Sequence, residues 1–285
     1  MLSLHTNNAA LSAQTAISKT QSNLSTSMTR LSTGYRINSA MDDAAGLQIA
    51  SRLKAQSSGM TVAMRNTQNA TAMLQTAEGA LDEVSNIVIR MKDLATQAAD
   101  SGSTDKDKTA MNAEFAELSK ELTNIMGNTT FGGAKLLDAT DGTLTAAMSF
   151  QIGADAAEVM EVDVSGSLTA VQTSVTGTAT LNLTTAADGT DPSGATAAIT
   201  ALTTAIDNVG TLRSALGASA NRLDHVYNNL ANISTNTKSA TGLIMDVDFA
   251  TESANMTSSQ MLLQASTAML KQSNSQSSLV MSLLQ

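Results

Sequence analysis

The chain has 285 residues and a mass of 29.3 kDa, enough for one large domain or two small ones. Hydrophobic residues make up 42% but aromatics only 2%, with no tryptophan and a single proline, Pro192, which argues against a sheet-rich core or an aromatic-lined nucleotide pocket. No cysteine, only two histidines (His5 and His225) and a net charge of −9 without a basic stripe leave no residues for disulfides, thiolate zinc sites, a Cys nucleophile or a nucleic-acid surface. No catalytic, metal or cofactor site is expected. No apolar run is long enough for a membrane span. The start, Met1-Leu-Ser-Leu-His-Thr-Asn-Asn, has neither the basic nor the apolar region of a secretory signal, so by the usual rules the protein stays in the cytoplasm.

Charge is unevenly placed. All 25 acidic residues lie between Asp42 and Glu252. Residues 1–41 carry only Lys19, Arg30 and Arg36, and residues 253–285 only Lys271. The two ends therefore total +4 and the middle −13. Long acid-free ends with leucines at helical spacing are surfaces to be covered, either by their own domain or by something else.

In the first segment Leu4 and Leu11 are seven apart, and Ile17, Leu24 and Leu31 continue in a shifted frame. Residues 32–38, with Gly34, break the helix, and Asp42 and Asp43 stand where a cap begins the next. That second helix is the strongest signal. Leu53, Met60, Thr67, Leu74, Leu81, Val88 and Ala95 lie on one strict heptad track. Ile49, Gln56, Ala63, Ala70, Ala77, Val84 and Met91 lie on another, and together they predict a seam about 55 residues long. After a polar loop over 99–108, Met111, Phe115, Leu118, Leu122 and Ile125 predict a shorter antiparallel helix.

Beyond Gly127 the period changes. Phe131-Gly132-Gly133 reads as a turn, and the alternations 146–152 and 160–164 read as a hairpin. Residues 171–197 hold few large apolar groups and are expected to form loops or weak strands. The helical period returns with Leu202, Val209, Leu216, Leu223, Leu230, Thr237 and Ile244, partnered by Leu212, Val226, Ile233 and Val247. A break near 245–249 precedes a last helix carrying Met256, Leu262, Leu263, Met269, Leu270, Leu279, Val280, Leu283 and Leu284. The fold class is mainly α: long antiparallel coiled-coil helices built from both chain ends, with a small central region containing a β-hairpin.

The stretch Arg30-Leu-Ser-Thr-Gly-Tyr-Arg-Ile-Asn-Ser-Ala-Met-Asp-Asp-Ala-Ala-Gly46 closely resembles the N-terminal signature of bacterial flagellins. So do Thr76-Ala-Glu-Gly-Ala-Leu81 and residues 91–98; Leu216-Gly-Ala-Ser-Ala-Asn-Arg-Leu223, Asp248-Phe-Ala-Thr-Glu252 and the closing Ser282-Leu-Leu resemble the C-terminal one. The resemblance covers about residues 1–165 and 200–285, with a much reduced insert between them. It implies a minimal filament subunit, of a type that serves swimming or swarming. It also replaces the cytoplasmic expectation with export through the flagellar type III apparatus, which needs no cleavable signal.

The resemblance implies that residues 1–42 and 246–285 form an inner tube. Residues 43–170 with 198–245 would form the outer-tube rod, and 171–197 a reduced variable surface (flagellin N-terminal region about 1–140, C-terminal region about 200–285). Polymerisation is expected through Leu4, Leu11, Leu24, Leu31, Leu262, Leu263, Leu270, Leu279, Val280, Leu283 and Leu284, and through the joint Gly34, Arg36, Asn38 and Asp43. The partners implied are further copies of the chain, the export apparatus and an export chaperone, and the filament cap and hook–filament junction proteins. Arg90, Leu94, Gln97 and Glu114 match positions at which enteric flagellins contact Toll-like receptor 5, although Ile89, Lys92, Asp93 and Leu118 depart from that pattern. A hook–filament junction protein, with related termini, is the alternative. An enzyme on a coiled-coil stalk is disfavoured by the scarcity of His, Cys and aromatics, and an adhesin by the small size of the central region.

Overall fold

The computed structural model describes residues 7–184 and 193–283, with side chains in the last helix described as far as Ser275. Leu4, His5 and Leu284, the side chains of Leu279, Val280 and Leu283, and residues 185–192 of the expected surface segment lie outside the described residues. The elements run α1 (Asn8–Thr33), α2 (Ala44–Ala98), α3 (Asp105–Asn128), β1 (Thr130–Phe131), β2 (Ala134–Lys135), β3 (Met148–Gln151), β4 (Val159–Val162), α4 (Ser165–Thr178), α5 (Ser193–Met245) and α6 (Phe249–Leu283). The architecture is mainly α with two antiparallel hairpins, β1–β2 and β3–β4. No helix among the described residues is long and apolar enough to cross a membrane. The chain divides into two compact units, residues 1–57 with 235–285 (unit 1) and residues 58–234 (unit 2).

In unit 1, α1 packs along α6. The less exposed positions of α1 are Ala10, Ala13, Ile17, Thr20, Leu24, Ser27 and Leu31; those of α6 are Glu252, Met256, Ser259, Leu263, Ser266, Leu270 and Ser273. Both sets step by threes and fours, the pattern of a two-stranded seam. The seam is thin, because half its residues are Ala, Ser or Thr, and only Leu24, Ser27 and Glu252 of these are fully buried. Asn7 caps α1 by accepting from the Ala10 amide at 3.1 Å, and its side-chain amide donates to the Ser273 carbonyl at 3.3 Å.

Unit 2 holds the main core. Leu74, Ala77, Leu81, Val84, Val88, Met91 and Ala95 of α2 are buried in one cluster with Leu202, Val209, Leu212, Leu216 and Leu223 of α5. Phe115 and Leu122 of α3 close it, and Arg213 pairs with Asp82 at 3.0 Å. Alanines on the seam let the backbones approach, which is how a core with so few aromatics still excludes water. Thr104 opens α3 with a reciprocal capping box to Asp107. Gly132 and Gly133 (φ 59° and 88°) supply the two left-handed residues that the β1–β2 turn needs. Nearby, the Lys135 ammonium and the amides of Thr140 and Asp141 hold the Asp138 carboxyl down to about 2.

The buried track is not one unbroken heptad. On α2 it runs Gly46, Ala50, Leu53, Ser57, Met60, Ala63, Thr67, with two successive steps of three at 57–60–63. Ile49 and Gln56, expected on the seam, are therefore exposed, and Ala50 and Ser57 take their places. On α5 the compensating long step is 226–230–234, so Ser234 is buried and Ile233 is not. Both slips fall where unit 1 meets unit 2 in the sequence. Insertions of three or four residues rewind a coiled coil locally.

Residues 171–178, expected as loop or weak strand, instead belong to α4. Leu168, Val171, Val175 and Thr178 recur at helical spacing and are buried, while small residues between them make the segment look featureless. Asn208 ties α4 to α5 through the Ser174 hydroxyl at 2.8 Å, and Gln172 donates to the Leu137 carbonyl at 2.9 Å. The helix is thus part of the core. Leu168→Ala is expected to cost about 2–5 kcal/mol, read as a lower thermal midpoint by circular dichroism. The neighbouring exposed Thr169→Ala should change stability by less than about 0.5 kcal/mol.

Candidate functional site

The acid-free ends converge on one joint in unit 1. Gly34 ends α1 in the left-handed conformation (φ 76°), its amide donating to the Arg30 carbonyl at 2.9 Å. The chain then lies antiparallel to the α5–α6 link, with a bridge between Tyr35 and Asp246. The Arg36 amide donates to the Met245 carbonyl at 2.6 Å and the Val247 amide to the Gly34 carbonyl at 3.0 Å. The Arg36 guanidinium also reaches the Ile244 carbonyl, at 3.0 Å, and Ile37 is buried beneath. These bonds staple residues more than 200 positions apart.

The two aspartates divide the capping between them. Asp43 alone caps α2, accepting from the Gly46 amide at 2.8 Å. Asp42, expected to share that role, instead holds the preceding turn by accepting from the amides of Asn38 and Ser39 and from the Ser39 hydroxyl. Asn38 donates to the Tyr35 carbonyl at 2.9 Å. Gly46 has no room for a side chain: a Cβ would lie 2.5 Å from Asp43 Oδ2. Arg30 bridges Asp42 at 4.0 Å and the buried Glu252 at 3.8 Å, joining α1, the turn and α6. Asp248 caps α6 through the Thr251 hydroxyl and the Ala250 amide.

Gly34, Arg36, Asn38 and Asp43 are therefore brought together, and Leu24, Leu31, Leu263 and Leu270 lie on the α1–α6 seam. Leu11 and Leu262 do not; they remain 52% and 55% exposed, as do Met28, Met261 and Met269. Adjacent apolar pairs such as Leu262-Leu263 and Met269-Leu270 give α6 two faces, of which α1 covers one. Sequence reasoning missed Arg30, Asp42 and Glu252 as a set, because their meeting depends on the chain ends coming together. In unit 2, Arg90 and Glu114 pair at 2.7 Å and Gln97 is exposed, but the Leu94 side chain is buried in the core. Among the described residues no cluster of His, Asp and Glu could hold a metal ion.

The Asp42 carboxyl is held below its ordinary value by the Ser39 and Asn38 amides, and that of Asp248 by the Thr251 hydroxyl and neighbouring amides. A depressed folded-state value stabilises the fold above the unfolded carboxylate range, and the contribution is lost as pH falls through the folded value. Asp42→Asn and Asp248→Asn should thus lower the melting temperature at neutral pH. The gap from the parent should close as pH falls below about 4, as followed by circular dichroism across a pH series.

Models of the bacterial flagellin N-terminal and C-terminal helical regions match residues 4–142 and 199–284. A flagellin of Halalkalibacterium halodurans is 43% identical over 90% of both chains, and one of Bacillus subtilis is 37% identical over 98% of both. A solved structure of a proposed flagellar hook-associated protein from Vibrio parahaemolyticus shares the fold (TM-score 0.56, 16% identity, 72% of this chain and 99% of that one). At that identity the likeness speaks for architecture alone, whereas the sequence relatives are flagellins matched along nearly their whole length. The terminal signatures, the two family regions in order and full-length likeness to flagellins together place this chain in the bacterial flagellin family, as a structural subunit of the flagellar filament.

Proposed function

We propose that the subunit polymerises chiefly through its chain ends. In this reading α1 and α6, roughly residues 1–42 and 246–285, pack against neighbouring copies as an inner tube. The rod of 43–170 with 198–245 lies outside them; of the segment 171–197, the part that ends α4 joins the core of the rod, which leaves the reduced surface to the residues after it. The observation that carries it is the uncovered apolar face of α1 and α6: Leu11, Met28, Met261, Leu262 and Met269 stand in water on helices whose mutual seam is thin and acid-poor. Leu4, Leu279, Val280, Leu283 and Leu284 continue the same composition toward both termini. Covering each such aliphatic side chain is worth about 1.5–3 kcal/mol, with no carboxylate to desolvate along 253–285. The joint of Gly34, Arg36, Asn38 and Asp43 fixes where inner and outer parts diverge.

The destination is extracellular, in the flagellum. Delivery runs through the flagellar export apparatus with an export chaperone, and the filament meets a cap and hook–filament junction proteins at its ends. Toll-like receptor 5 is a further partner in this reading, with the exposed Arg90–Glu114 pair and Gln97 as contacts and Leu94 acting as support from the core. A junction role is disfavoured by the full-length likeness to filament flagellins.

Deleting residues 277–285 tests the reading. The truncated chain should fail to pellet after salt-induced assembly, while circular dichroism shows the helical content and melting of unit 2 nearly unchanged. Filaments from the truncated chain would show that the tail is not the assembly surface.

A further inference from the structure

The carboxylates of unit 1 are mostly committed within it. Asp42 holds a turn, Asp43 and Asp248 cap helices, and Glu252 faces Arg30. Two lysines are not so engaged. Lys54 on α2 and Lys238 on α5 are exposed, and among the described residues neither has a carboxylate within ion-pair distance. Both line one cavity of about 390 Å³, whose walls include the apolar Leu47, Ala50 and Met245 and, as its acid, Asp246.

The charges of the two units are complementary. Unit 1 carries seven basic and five acidic residues, a net of +2; unit 2 carries nine and twenty, a net of −11. Copies of so acidic a unit repel one another when packed together, and the repulsion is relieved where acids of one copy meet cations of the next. An opening with two lysines and an apolar wall suits a side chain made of a short methylene stem and a carboxylate. We infer that this cavity is an inter-subunit socket, occupied in the filament by an Asp or Glu of unit 2 of a second copy. The inference rests on the filament reading. A contact between different surfaces of like copies is also the kind that propagates as an open helical array.

The experiment uses full-length protein, parent and Lys54→Glu/Lys238→Glu. Both lysines are exposed, so the variant monomer should keep the parent's helicity. Its critical concentration for assembly should rise at least roughly tenfold at low salt, and the difference should shrink with added NaCl as charges are screened. Lys54→Gln/Lys238→Gln, which removes charge without adding repulsion, should show a smaller shift in the same direction and replaces the reversal if that variant loses helicity. Filaments co-assembled from light and heavy-nitrogen subunits are then treated with a zero-length carbodiimide and digested. Mixed-label peptides joining Lys54 or Lys238 to an acid within residues 58–234 are expected. An unchanged critical concentration, or cross-links confined to one copy or to unit 1 acids, overturns the socket. Failure of the parent itself to polymerise would instead overturn the filament reading, and the socket with it.

Discussion

Everything in this molecule depends on two long helices sharing seams built from small and medium side chains. With aromatics at 2% of the chain, water must be excluded by close backbone approach, and alanine at seam positions is what permits it. Ala70, Ala77 and Ala95 of α2 and Ala198 and Ala205 of α5 are buried among leucines and valines. Each stretch of such a core leans on its immediate surroundings, and its composition differs between the two units. Unit 2 gathers Leu, Val, Met and Phe from α2, α3, α4, α5 and the two hairpins, while the α1–α6 pair of unit 1 relies on Ala, Ser and Thr.

That contrast fits the proposed assembly, in which one part of the subunit is stable alone and the other is completed by neighbouring copies. Burying aliphatic surface within unit 2 does not need a second copy. Along α1 and α6 the leucines and methionines exceed what the mutual seam covers, and the nearest carboxylates are already tied up in caps and bridges. The joint is where backbone bonding substitutes for hydrophobic mass. Three amide and guanidinium bonds across residues 34–38 and 244–247 hold a turn whose only fully buried large side chain is Ile37.

The long helices, their breaks, the turn at Phe131 and the β3–β4 hairpin were legible in the sequence because heptads, glycines and alternation are local signals. What failed was phase and context. Ile233 and Ser234 compete for one seam position, and hydrophobicity favours the isoleucine, yet the slip at 226–234 buries the serine. The matching slip at 57–63 exposes Ile49 in favour of Ala50. α4 escaped notice because its buried face is only Leu168, Val171, Val175 and Thr178, too short and too diluted by Thr and Gly for periodicity to show. Leu94 was legible as a helix position beside Arg90 but not as a core residue, since its burial comes from the tertiary cluster that it joins in unit 2.

The two phase slips also bear on how a single chain can serve two packing regimes. A strict heptad would impose one supercoil along the whole length of each long helix. A short step on α2 opposed by a long step on α5 lets each unit keep its own knobs-into-holes register, with Ser57 and Ser234 at the change rather than large apolar residues. Serine at those positions makes the change cheap in packing, because little volume has to be re-accommodated when neighbouring residues shift. In the proposed filament, unit 1 adjusts its seam to neighbouring copies while the Leu-rich core of unit 2 stays as it is, and a polymer of that kind draws on two packings of close free energy.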